Sequence, residues 1–230
     1  MDTTRSTGRI GRFVTLTLVA VLSAFFAWTL PRADAQPAVA TTGHAHVTAR
    51  SMGQQALHDD MRKLWEDHVT WTRLAIVTFA DGSGGFAATA GRLLANQADI
   101  GDVIKPFYGE AAGDQLTALL NDHITIAVEL LQAAKAGNDA AFADAHTRWY
   151  ANADDIADFL AAANPRFWPQ AMMRADMRTH LDQTLSEAAH ELAGDYEASI
   201  ADYDEVHSHI LAMADMLSDG LAKAFPGLVR

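Results

Sequence analysis

Four histidines and two asparagines in this chain recur at a regular pitch, and their side chains are the best candidates for chemistry. His68, His123 and His180 are separated by 55 and 57 residues, and His209 follows 29 residues after His180. Asn96 and Asn152 stand 28 and 29 residues after His68 and His123, so His209 occupies the place of a third Asn. Neutral imidazole ligates transition metals, and a nitrogen-rich set without thiolate suits Zn, Cu(II), Ni or non-haem Fe. The spacing therefore nominates His68, His123, His180 and His209 as metal ligands. Asn96, Asp99, Asn152 and Asp155 are placed to support them, the carboxylates as acceptors for free ring N–H groups.

Helices must carry these residues. From Leu57 onward the chain is rich in Ala and Leu, and Gly or Pro interrupts it at 81–85, 106–113, 137–139, 164–169 and 194–195. Such residues terminate helices. Six helices follow, near 55–80, 86–106, 113–136, 139–163, 169–193 and 195–223, paired into three hairpins that repeat about every 56 residues. The flanks repeat too: Met61, Leu116 and Met173 lie seven before the three histidines, and Thr72, Ala127 and Thr184 four after. Each His is as far from its tight turn as its partner on the second helix, which predicts a common height about 21 Å from the turns at 1.5 Å per residue.

The helices show 4-3-4-3 seams, as in Met61, Trp65, His68, Thr72, Ala75 and Phe79, or Ala145, Trp149, Asn152, Ile156 and Phe159. The fifth helix is poorest, because Glu187 follows Met173, Met177, His180 and Thr184. The fold class expected is an all-α antiparallel bundle of about six helices built from three hairpins, over residues 55–226. Its internal His/Asn layer has a bland reading, hydrogen bonding that fixes hairpin register. Its sharper readings are a metal site, or a metal-assisted enzyme at the same layer with an open coordination position. A fourth is a non-catalytic partner-binding bundle responsive to pH through its histidines.

Ahead of the bundle, Arg5, Arg9 and Arg12 precede an uncharged run from Phe13 to Leu30, and Ala33-Asp34-Ala35 offers a signal-peptidase site. The expectation is a signal peptide over 1–35 and export to the periplasm or beyond, the alternative being an uncleaved membrane anchor. Residues 36–54 read as a flexible leader, and His44 and His46 within it form a weak metal pair. The chain has no cysteine, which removes disulfides, thiolate zinc and iron–sulfur clusters. A net charge of −12 argues against a nucleic-acid partner.

Several motifs are missing. There is no Glu-x-x-His on two helices for a di-iron site, no His-Glu-x-x-His, and no nucleophile elbow. His58, His146, His190 and His207 fall off the seams and read as solvated, while Trp65, Trp71, Trp149 and Trp168 read as packing. The stretches Trp65–Leu74, Asn96–Gly101 and Trp149–Asp155 resemble a family of small helical bacterial proteins of unknown function, over about residues 57–226. That resemblance implies a bacterial source and a helical bundle. Relatives sometimes carry the labels glycosyltransferase or acetylglutamate kinase, but those activities need α/β phosphate cradles, and no such pattern occurs in this sequence.

Overall fold

A computed structural model of the chain describes residues 53–229. They form α1 (Gln54–Ala80), α2 (Phe86–Tyr108), α3 (Glu110–Ala136), α4 (Asp139–Ala163), α5 (Gln170–Ala193) and α6 (Tyr196–Ala224). No strand occurs among the described residues. Each helix packs on the next, α6 closes onto α1, and α1 also touches α5. The expected all-α bundle is therefore a closed ring of six helices. The signal peptide, most of the leader, and His44 and His46 lie outside the described residues.

Two turns show how sequence sets the hairpins. Gly137 and Gly194 take left-handed conformations (φ 62° and 77°) that end α3 and α5. The next residues, Asn138 and Asp195, cap α4 and α6 by accepting from the backbone N–H of Ala141 and Ala198. Lys135 donates to the carbonyls of Phe79 and Ala80, tying α3 to the C-terminal end of α1. The longer α4–α5 connection is held by Asn164, whose Nδ2 donates to Gly220 O at 3.1 Å, and by fully buried Trp168.

The α2–α3 connection is tighter than the sequence suggests. A loop was expected over 106–113, but only Gly109 separates the helices. Pro106 lies inside the last turn of α2, where loss of one N–H is tolerated near the helix end. Gly113 does not terminate a helix. It faces Gly101 across the α2–α3 contact, where a Cβ on either would come within 2.6 Å of the other's carbonyl oxygen.

The α5 seam also reads differently in space. Met173, Met177, His180, Thr184, Glu187 and Glu191 are all buried, continuing the 4-3-4-3-4 rhythm through both carboxylates. Glu187 ends the hydrophobicity of the seam without ending the seam, because Arg73 of α1 reaches across to it.

Candidate functional site

His68, His123 and His180 come from α1, α3 and α5, and each is 2–3% exposed. The His68 and His180 rings lie 5.7 Å apart between centres. His123 stacks on Trp149 at 5.2 Å, and Trp65 meets His68 edge-on at 5.6 Å. The three histidines line one cavity of about 50 Å³, walled chiefly by Ala75, Ile76, Leu93, Ile124, Leu130 and Leu131. An apolar wall cannot satisfy ring nitrogens, so the protonation states of the histidines matter.

Burial pushes His68 down to about 3, helped by repulsion from His123 and opposed by a bond from Gln97. Burial likewise pushes His123 down to about 4. His180 is pushed down by burial first, then by His68, His123 and His209. All three rings are therefore uncharged at neutral pH, the state in which imidazole donates a lone pair.

Their hydrogen bonds assign the ring protons. Asn152 donates through Nδ2 to Leu119 O at 3.1 Å, so its Oδ1 faces His123 Nδ1 at 2.8 Å as an acceptor. His123 Nδ1–H donates there, and its Nε2 keeps the lone pair. Gln97 Nε2 is anchored on Leu93 O at 2.7 Å and donates at 3.3 Å to His68 Nδ1, which places the proton of His68 on Nε2. His180 Nδ1 is buried without a partner. A buried ring nitrogen without a partner carries a desolvation cost and marks a place where a ligand can be accommodated.

The remaining members of the expected layer do something else. Asn96 Nδ2 donates to Leu64 O at 3.0 Å, and His209 Nε2–H donates to Asp176 O at 3.0 Å. Together with the Asn152–Leu119 bond, each runs from the second helix of a pair to the carbonyl four residues before the histidine on the first. His209 is half-buried and does not line the cavity. Asp99 is exposed beside Arg92, and Asp155 lies on the surface in a groove with Arg148; neither has a hydrogen bond to a histidine. Expected as supports for the imidazoles, both carboxylates are too polar to displace the apolar residues around the rings.

As the side chains stand, no group of three His, Asp or Glu among the described residues is gathered tightly enough to hold an ion. Gln97 escaped the sequence reading although it adjoins Asn96, because an amide beside a seam position carries no helical-periodicity signal. The off-seam histidines divide. His58 contacts Asp59 and Asp215, His190 contacts Asp202, His207 contacts Glu66, and His146 stacks on Tyr150. Trp65 and Trp149 are core residues, as their seam spacing predicts, and Trp168 is buried as well. Among the described residues no helix is long and apolar enough to cross a membrane.

No family model, curated protein or solved structure matches this chain.

Proposed function

We propose that this is an exported helical-bundle protein that binds a transition-metal ion through His68, His123 and His180. The single observation carrying the reading is the state of His123: its Nδ1–H donates to Asn152 Oδ1, leaving the Nε2 lone pair without a hydrogen-bond partner among the described residues. Metal-bound imidazoles characteristically donate their second ring N–H in this way. Two imidazoles sharing a tetrahedral ion at 2.0–2.1 Å place their ring centres about 5 Å apart. The separation of 5.7 Å between His68 and His180 is close to that, and His68 would present a lone pair by giving up the Gln97 bond at Nδ1 or by moving its proton there.

Zn, Cu, Ni and Fe all fit a three-nitrogen donor set. Three protein ligands leave a fourth position, which is the requirement for metal-assisted chemistry as well as for storage or transfer. Asn96 and His209 serve the hairpins in this reading, and His209 is not a ligand. The basic start, apolar run and Ala-x-Ala site support a periplasmic or extracellular location.

A second reading is favoured by the three bonds from Asn96, Asn152 and His209 to opposing carbonyls: polar groups that fix hairpin register and bind nothing. Elemental analysis of untagged protein, followed by Co(II) titration of the chelator-stripped form, separates the two. Near-stoichiometric metal and a tetrahedral Co(II) absorption band, both lost in His123→Ala and His180→Ala, support the site. Trace metal and no band in a folded protein leave only the register role.

A further inference from the structure

A second buried polar cluster lies where α1, α5 and α6 meet, apart from the three histidines. Arg73 of α1 reaches Glu187 Oε1 at 3.2 Å and Glu191 Oε2 at 3.1 Å, both from α5. The same guanidinium donates to Ser199 of α6, whose hydroxyl lies 2.7 Å from Glu191 Oε2. Glu187 is 1% exposed, Glu191 4%, and Ser199 0%. Asp202 of α6, paired with His190 of α5 at 2.7 Å, is the next carboxylate outward.

One guanidinium faces two buried carboxylates. If both were ionised, Arg73, the cation in contact with them, would balance only one of the two negative charges. Desolvation of an unpaired carboxylate is costly, and the usual relief is to take up a proton. The contacts indicate which carboxyl does so. Glu191 is held by Arg73 and by the Ser199 hydroxyl, whereas Glu187 has Arg73 alone.

We infer that the Arg73–Glu187–Glu191–Ser199 cluster is a proton-binding site, taking up one proton on Glu187 as pH falls through neutrality and loosening the α1–α5–α6 junction when that proton leaves. The electrostatics agree in direction and size. Burial pushes Glu187 up to about 7, and Glu191 and Asp202 add to the rise while Arg73 opposes it. Relative to an ordinary glutamate near 4.5, that is about 300-fold tighter proton binding. The site lies at the turn end of the α5–α6 hairpin, so its release would be felt first in residues 192–199.

Carbon-13 NMR of side-chain carboxyls between pH 5 and 9 tests this directly. One glutamate resonance should titrate near neutrality and vanish in Glu187→Gln. Amide exchange over 192–199 should quicken several-fold in the wild type above that midpoint, beyond the intrinsic pH effect, and stay slow in Glu187→Gln. If every glutamate carboxyl in the wild type is ionised by pH 5.5, the inference fails. It also fails if Glu187→Gln and wild type show the same exchange profile. Should the variant not fold, the wild-type titration and exchange decide alone.

Discussion

Acidification from pH 7 to 4.5 should destabilise the metal-free protein, because three buried imidazoles resist protonation. A histidine in the unfolded chain titrates near 6.5, whereas His68 and His123 are held at about 3 and about 4 in the fold. Their contribution to stability is complete above 6.5 and is lost as pH falls toward the folded values, since the unfolded state then binds more protons. Each such group costs about 1.4 kcal/mol per pH unit, or about 2.7 kcal/mol between pH 6.5 and 4.5. His68 and His123 together remove about 5 kcal/mol, and His180, pushed down chiefly by burial, adds to the loss in the same direction.

Glu187 works against this. Its folded value of about 7 lies above that of a free glutamate, so its contribution is complete below about 4.5 and fades as pH rises through 7. Moving from pH 7 to 4.5 therefore returns about 3 kcal/mol. The net loss from His68, His123 and Glu187 is about 2 kcal/mol, to which His180 adds, against the 5–15 kcal/mol typical of a domain. Urea unfolding followed by circular dichroism with a chelator present, at half-unit pH steps, gives the slope. His68→Gln, which removes one titrating ring, should lower the slope below pH 6.5 by about 1.4 kcal/mol per pH unit. A midpoint that stays constant from pH 7 to 5, or a His68→Gln slope equal to wild type, would refute the assignment of these rings as neutral and buried.

Two further substitutions test the packing. Asn152→Ala strands His123 Nδ1–H and Leu119 O, two buried groups worth about 1–3 kcal/mol each, so the melting temperature should fall by about 5–15 °C. Gly220→Ala would place a Cβ 2.0 Å from Trp168 Nε1 and should destabilise by about 2 kcal/mol despite its better helix propensity. Its control is Gly91→Ala in α2, where nothing lies within 4 Å and stability should rise by up to about 1 kcal/mol; thermal melts with tryptophan fluorescence report both.

The helix plan was legible because Gly and Pro punctuate an Ala- and Leu-rich chain and the seams repeat. Helix count and most boundaries follow from those signals alone. The Gly109 turn was not legible, because the sequence cannot tell a glycine that ends a helix from one, such as Gly113, that lets two helices touch. Burial of the triad was legible from seam position, including His180 on the poorest helix. The acidic part of α5 was misjudged for a physical reason. Hydrophobic periodicity registers Glu187 and Glu191 as breaks, and only the distant Arg73 makes those positions habitable. The outward placement of Asp99 and Asp155 was beyond sequence reading, since three residues along a helix from a seam leaves a side chain at the border of core and solvent.

The division of the expected layer bears on which reading of the site survives. Asn96, Asn152 and His209 share one task, donation to a carbonyl across the hairpin, and an imidazole serves it as well as an amide. A register-fixing role is thus filled without His68, His123 or His180. Those three incur the desolvation of ring nitrogens against an apolar wall, and His180 Nδ1 gains no hydrogen bond in return. Leucine or methionine at the same positions would pack without that cost and would typically hold or raise stability. His180→Met is accordingly the sharpest discriminator: if the triad exists only for packing, the variant should match or exceed wild-type stability and lose nothing measurable. If it exists to hold an ion, the variant should be as stable without metal but forfeit the rise in melting temperature that added Zn gives the wild type, a rise of about 4 kcal/mol in stability at a thousandfold excess over Kd. No metal-dependent rise in the wild type would leave the three imidazoles without a ligand to explain them.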